Sequence, residues 1–260
     1  MFKATDFVYD GVASSAYNLK LLRINETDGY TTGTGVPKKS FVMVKNNRSA
    51  EKQIVGFSID DTQTFKVQIL VDRDEGNPTP IPRNQVKPIR NWLFNKTNFK
   101  KMYFLQPDLR DYYYMVVFTD VEDLYLEGEI IGFEATLVTN NTGMYKTKRV
   151  SKKCTGYTTF SIINDTSSLF PTYPKIKMTM HTAYLNLNIN GRETSFINII
   201  PESEITIDSK SLIIEAGLNE LFDGNFNLVY PELKPGKNTI IVTGDVDITF
   251  ELDEIEEVGV

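Results

Sequence analysis

Leu233-Lys-Pro-Gly-Lys-Asn-Thr-Ile-Ile-Val-Thr-Gly244, followed by Val246-Asp-Ile-Thr-Phe-Glu-Leu252, is the stretch on which the fold turns. Pro235 and Gly236 read as a turn, and Asn238 closes it. Ile240 and Val242, then Val246, Ile248, Phe250 and Leu252, alternate with polar residues. That period of two belongs to strands with one buried face, and it predicts a β-hairpin at the end of the chain. No reactive group is attached to it, which points to a protein that builds rather than reacts.

Working outward, the second half continues in the same manner. Strands are predicted over Thr158–Ile163, Ile176–Thr182, Tyr184–Ile189, Thr194–Ile199, Glu204–Ile207 and Ser211–Glu215. Ile176, Met178 and Met180 alternate, as do Leu185, Leu187 and Ile189, which run into Asn190-Gly191, a strong hairpin signal. Short strands at near-regular spacing imply a β-sandwich. The breaker cluster Asn140-Asn-Thr-Gly143 and the basic run Lys146–Lys153 set a domain boundary, giving domains 1–142 and 143–260.

The first half is also β-rich. Phe7-Val-Tyr-Asp-Gly11 is a strand and tight turn, and Tyr17–Ile24 a second strand. Asn25–Lys39, rich in Thr and Gly, lacks periodicity and reads as a long functional loop or arm. Phe41–Lys45 fits one strand of a projecting hairpin, and Gln53–Asp60 with Thr64–Val71 read as the next strand pair. One helix is predicted: Pro88 is placed in its first turn, with Ile89, Trp92 and Leu93 on one face. Trp92, the single tryptophan, reads as a core anchor together with Ile89 and Leu93. Further strands cover Lys101–Gln106, Tyr112–Thr119 and Leu124–Thr139, with Gly128 and Gly132 as bulges or kinks in the last. The fold class is therefore mainly β.

Composition narrows the function classes. The net charge of −6 makes a phosphate-gripping nucleic-acid binder a poor fit. Residues 1–139 carry 17 Lys+Arg against 18 Asp+Glu (17 − 18 = −1), and residues 140–260 carry 11 against 16 (11 − 16 = −5). The acids of Asp245–Glu257 read as a solvated strand edge and frayed terminus. A single cysteine, Cys154, allows no intrachain disulfide and suits a reducing compartment during folding. The start of the chain lacks the apolar core of a signal peptide, and no stretch reaches the length of a membrane helix. No membrane role is expected.

The search for chemistry yields little. The single histidine, His181, is out of phase with Met178 and Met180 and is expected on the surface, with no Gly-x-Ser-x-Gly elbow beside it. Gly29-Tyr-Thr-Thr-Gly-Thr-Gly35 precedes no helix that could receive a phosphate. Asp72-x-Asp-Glu-Gly-Asn77 lacks the glutamate that completes a calcium loop. No metal, cofactor or catalytic residue is expected. Sugar stacking would rest on Tyr157, Tyr173, Tyr184 and Tyr230, because the second half has no tryptophan.

Taken in order, Phe7-x-x-Asp-Gly11, Tyr17-Asn-Leu19, Trp92-Leu93, Tyr112–Tyr114 and Gly128-x-x-x-Gly132-Phe-Glu-Ala135 resemble the distal tail protein (Dit), or siphophage tail component, family of bacteriophages of Gram-positive hosts. The closing blocks Ile163-Asn164, Leu187-x-Ile-Asn-Gly191, Ile205-x-Ile-Asp208 and Leu233-x-Pro-Gly-x-Asn-x-Ile240 extend the likeness over nearly the whole chain. The resemblance implies an N-terminal domain that assembles as a homo-hexameric ring and a C-terminal galectin-like β-sandwich that keeps the fold without the sugar site. It implies a projecting arm that embraces the neighbouring subunit, matched to about 25–53, with Phe41, Val42, Met43 and Val44 at its centre. It also implies contacts with the major tail (tube) protein, with a tail-associated fibre or lysin protein, and with tape-measure and receptor-binding proteins. DNA passes the lumen without specific binding. The expected location is the distal end of the virion tail, after synthesis in the host cytoplasm. Two rivals stay open at this point: a carbohydrate-binding adhesion protein of the tail tip, and a glycosidase or peptidoglycan hydrolase.

Overall fold

The computed structural model describes residues 6–24, 26–27, 30–31, 39–45, 52–59, 62–71, 80–216 and 224–256. The chain divides into two compact units, one up to Met144 and one spanning Tyr145–Glu256. Each encloses its own apolar cluster.

The first unit contains β1 (Phe7–Tyr9), β2 (Val12–Ala13), β3 (Leu19–Ile24), β4 (Glu26–Thr27), β5 (Tyr30–Thr31), β6 (Lys39–Lys45), β7 (Lys52–Ile59), β8 (Thr64–Val71), helix α1 (Arg83–Leu93), β9 (Lys100–Phe104), β10 (Tyr112–Leu126) and β11 (Glu129–Thr139). Its main sheet runs in the order β2-β1-β9-β10-β11-β8-β3, with every pair whose register is known antiparallel. The β1–β2 turn holds Asp10 and Gly11 at φ 50° and 79°, the mirror-image geometry that suits a two-residue hairpin.

Three expectations need correction here. Pro88 is not in the first turn of α1, which begins five residues earlier at Arg83 and carries the proline inside. The N–H that Pro88 lacks would have served the carbonyl of Asn84, and Asn84 is exposed, so that carbonyl is open to solvent. Gly128 is not a kink in one long strand. With Glu127 it forms the turn between β10 and β11, at φ 52° and 86°. Gly132 is the position of close approach, since a Cβ there would lie 2.2 Å from the Ile69 carbonyl oxygen. Finally, β7 does not pair with β8. It pairs with β6 as a separate two-stranded ribbon, while β8, buried on alternate positions, lies between β3 and β11.

Helix α1 seals this sheet. Ile89, Trp92 and Leu93 are buried in the apolar cluster. The Trp92 ring stacks on Phe7 at 5.9 Å and on Tyr17 at 5.2 Å, and its indole N–H donates to the Tyr9 carbonyl at 2.9 Å. Arg90, on the outer side, pairs with Asp123, which also accepts from the Tyr125 hydroxyl at 3.1 Å.

β12 (Met144–Cys154) leads into the second unit, followed by β13 (Tyr157–Asn164), β14 (Lys175–Met180), β15 (Leu185–Ile189), β16 (Arg192–Phe196), β17 (Ser203–Asp208), β18 (Ile213–Ala216), β19 (Gly236–Thr243) and β20 (Val246–Glu256). They form two layers, β18-β17-β14-β20-β12 and β13-β19-β15-β16. Inward side chains of both, among them Met178, Leu187, Ile207, Ile240, Val242 and Phe250, fill one core, which is the construction of a β-sandwich. Asn190 and Gly191, at φ 53° and 91°, close the β15–β16 hairpin.

The C-terminal stretch has the alternation read from it but not the pairing. β19 and β20 are not a hairpin; they lie in different sheets. β19 already has β13 on one side and β15 on the other, so no ladder is left for β20. The corner is Gly244-Asp245. Gly244 sits at φ 129°, where a Cβ would be 2.7 Å from the Tyr184 carbonyl oxygen. The Asp245 carboxylate accepts from the Gly156 N–H at 2.7 Å and its carbonyl accepts from the His181 N–H at 2.9 Å, tying the corner to both layers.

The acidic end of the chain is likewise no sheet edge. β20 lies between β14 and β12, and its acids meet the basic run of β12. Arg149 pairs with Glu251 at 2.9 Å, Lys153 with Asp247 at 3.4 Å, Lys146 with Glu256 at 3.9 Å and Lys148 with Glu254 at 3.5 Å. Glu254 is buried, whereas the other three pairs are exposed and contribute little each, on the order of 0–1 kcal/mol, matching one strand's charge to the next.

Candidate assembly interface

Among the described residues, the ribbon β6–β7 contributes none to the apolar cluster of the first unit. Its register sets Met43 opposite Ile54, Val44 opposite Gln53 and Val42 opposite Gly56, with a bulge between the first and last of these. Strand geometry sends Val42 and Val44 to one face and Met43 with Ile54 to the other. Val42, Met43, Val44, Ile54 and Val55 are each 51–60% exposed. An isolated two-stranded hairpin is marginal in water, and one that is apolar on both faces gains stability only when something covers it. Each such side chain contributes at most about 1.5–3 kcal/mol on full burial.

Of the arm residues expected from the sequence, Val42, Met43 and Val44 lie together on β6. Phe41 is in the same strand, but its side chain lies outside the described residues, as do most of Asn25–Lys39 and 46–51. Ile54 and Val55 were missed by reading β7 as the partner of β8. The signal was present: Ile54-Val55 are apolar neighbours, which cannot share one face of a strand. Ile89, Trp92 and Leu93 are gathered in the core and contribute no surface.

The residues capable of chemistry do not converge. His181 is on the surface, with Nδ1 2.8 Å from Glu202 and Nε2 3.7 Å from Asp247. The hydrogen bond to Glu202 leads the causes that raise its pKa above the ordinary histidine value. Cys154 is buried, and that burial pushes its thiol up, away from a reactive thiolate. Among the described residues no group of three or more His, Cys, Asp or Glu could hold a metal. The Asp72–Asn77 stretch lies outside the described residues, as does most of Gly29–Gly35. A groove of about 430 Å³ crosses the outer face of β12, β20, β14 and β17. Ser151, Thr249, Lys177 and Thr206 form its middle row, flanked by Lys153, Asp247 and Glu204, and no aromatic ring lines it. Tyr157, Tyr173, Tyr184 and Tyr230 sit on separate elements outside it, and the Tyr230 hydroxyl is engaged by the Leu212 carbonyl at 2.8 Å.

A β-rich chain carrying a ribbon with exposed apolar side chains on both faces has the features of an assembly component. The chain belongs to the phage tail proteins: the model of the phage tail protein N-terminal domain matches residues 2–141, and that of the phage tail C-terminal domain matches residues 143–252. The Dit resemblance read from the sequence is upheld by these matches together with the fold. The Dit (gp 19.1) protein of phage SPP1, described as a paradigm of the hub adsorption apparatus in phages infecting Gram-positive bacteria, superposes with a TM-score of 0.67 at 14% identity, covering 97% of this chain and 100% of that one. A chain of the phage P2 baseplate in its activated conformation with Ca superposes at 0.58 and 9% identity, covering 96% and 98%. No curated protein sequence matches.

Proposed function

We propose that this protein is the ring adaptor at the distal end of the tail. Six copies of the N-terminal unit close a ring that joins the tail tube to the tail-associated fibre or lysin protein and leaves a channel for DNA. The role is structural and not enzymatic. The C-terminal sandwich faces outward as a docking platform for receptor-binding or fibre proteins. The observation that carries the reading is the β6–β7 ribbon: five large apolar side chains on both faces, on a chain with the fold of a tail hub. In a ring, each ribbon clasps the next subunit and both faces are buried. Six copies at −6 give a formal charge of 6 × −6 = −36, which disfavours DNA adhering to the channel wall as it leaves.

Light scattering of the purified full chain should give six times the subunit mass, with rings in negative-stain micrographs. Val42→Asp with Val44→Asp should reduce that mass to the monomer while the fold, by circular dichroism, survives. A chain that stays monomeric at every concentration sinks the ring. The adhesion reading finds little support in a groove without a stacking ring, and binding of the full chain on a glycan array would revive it.

A further inference from the structure

The two edges of one layer of the sandwich differ. In β13-β19-β15-β16, the β16 edge is covered: Phe196 bridges to Phe226, the Asn227 N–H donates to the Ser195 carbonyl at 3.2 Å, and the Ile197 N–H donates to the Asn225 carbonyl at 2.9 Å. The opposite edge, β13, is paired with no described strand beyond β19. Its phase follows from one bond. The Gly244 N–H donates to the Gly156 carbonyl at 2.8 Å, so from Gly156 onward alternate residues turn their backbone groups toward β19. Tyr157, Thr159, Ser161 and Ile163 therefore turn N–H and C=O off the sheet. Of these, the Ile163 carbonyl accepts from the Lys148 ammonium at 2.7 Å, and none of the others has a partner among the described residues.

Natural sheets defend such edges with charge, proline or bulges. β13, Tyr-Thr-Thr-Phe-Ser-Ile-Ile-Asn, has none of these within its eight residues. On its outer face Tyr157 is 70% exposed and Ile163 55%. The strand is also complementary to itself. Laid antiparallel about Phe160, it sets Thr159 against Ser161 and Tyr157 against Ile163, and these four residues are the ones whose backbone groups point outward. Each opposed pair exchanges both N–H···O bonds. An aromatic residue faces a β-branched one, a favourable cross-strand pair, and no like charges meet. Among the described residues, the one contact to yield is that from Lys148, whose ammonium keeps Asp165 at 2.7 Å.

We propose that β13 is an assembly edge taken by β13 of a second copy, which joins the two sandwiches through a continuous antiparallel sheet. This contact is separate from the ribbon clasp and does not depend on it. In a ring, it would link one ring to another through their outer units.

The test is sedimentation velocity of the full chain over a concentration series, with Ser161→Pro and, separately, Thr159→Lys. Proline is tolerated where the N–H points off the sheet, so Ser161→Pro removes an edge donor without removing a ladder bond, and Thr159→Lys blocks the edge by charge. The wild type should populate, as concentration rises, a species of twice the mass of its basal oligomer. Both variants should abolish the doubling and leave the basal oligomer and the circular dichroism unchanged. Leu228→Ser, beyond the covered edge of the same sheet, should alter nothing. Amide exchange at Thr159 and Ser161 should slow by about tenfold or more in the doubled species. A wild type that never doubles, or doubling that survives both variants, overturns the proposal. Protection of these amides that arises only on adding another tail protein also overturns it, and assigns the edge to that partner. Doubling is measured against the basal mass, so it is read independently of whether that mass is six subunits.

Discussion

Asn238 is the residue on which the closing stretch depends, and its replacement by alanine has a calculable cost. Its side chain is fully buried. Oδ1 accepts from the Lys234 N–H at 2.9 Å and from the Asn190 amide at 2.7 Å. Nδ2 donates to the carbonyls of Lys234 at 2.8 Å and Gly236 at 2.9 Å. Asn238→Ala removes these four bonds at once, and each contributes about 1 kcal/mol net. The groups left behind are part-buried, so water recovers some of them, and the expected loss is about 2–4 kcal/mol. Asn238→Asp keeps the acceptors but turns a buried carboxylate oxygen toward the Lys234 and Gly236 carbonyls, and at neutral pH it should cost at least as much as alanine. The assay is urea unfolding of the full chain. Far-UV circular dichroism reports both units, whereas fluorescence of Trp92, the single tryptophan, reports the first unit alone. The loss should therefore appear in the circular dichroism transition. A measured loss under about 1 kcal/mol would refute the claim that this side chain holds the turn.

The remaining predictions are as follows. Gly132→Ala should destabilise the first unit by about 1–3 kcal/mol, read from Trp92 fluorescence against urea, because the new Cβ meets not only the Leu70 side chain but also backbone, the Ile69 carbonyl oxygen and the Leu70 Cα, which cannot swing aside. Trp92→Ala should cost about 3–5 kcal/mol by circular dichroism, since it empties the space between Phe7 and Tyr17 and leaves the Tyr9 carbonyl without its donor. The His181 imidazole should titrate by NMR above the ordinary histidine midpoint, and Glu202→Gln should bring the midpoint down. Because the folded value is raised, its contribution to stability is complete below the unfolded pKa of about 6.5 and disappears as pH rises through the folded value.

How much was legible before folding depended on the range of the interaction. Asp10-Gly11 and Asn190-Gly191 were readable as turns because a two-residue hairpin requires positive φ at both positions, a demand met within four residues of chain. The face of α1 was readable from Ile89, Trp92 and Leu93, although its start was not: Pro88 resembles a first-turn residue, and only the exposure of Asn84 makes it tolerable inside. At the candidate interface, the sequence placed Val42, Met43 and Val44 on one strand of a projecting hairpin and the family resemblance placed them in an arm; they lie on β6 with their side chains exposed. Their companions Ile54 and Val55 were not legible, since pairing is a choice among strands and β7 could equally have met β8.

The closing stretch shows where the division falls. By itself the sequence determined that Ile240 and Val242, and then Val246, Ile248, Phe250 and Leu252, share a buried side, because side-chain alternation is a property of a single extended chain. It also determined that Pro235, Gly236 and Asn238 form a turn. Only the tertiary structure decided that β19 and β20 part at Gly244 into opposite layers, that the acids of β20 face the basic run of β12, and that β13 is left with an open edge. The physical reason is that a strand's backbone groups are alike along its length. Which neighbour takes them is settled by closure of the whole sandwich, where β13 and β15 had already taken both sides of β19.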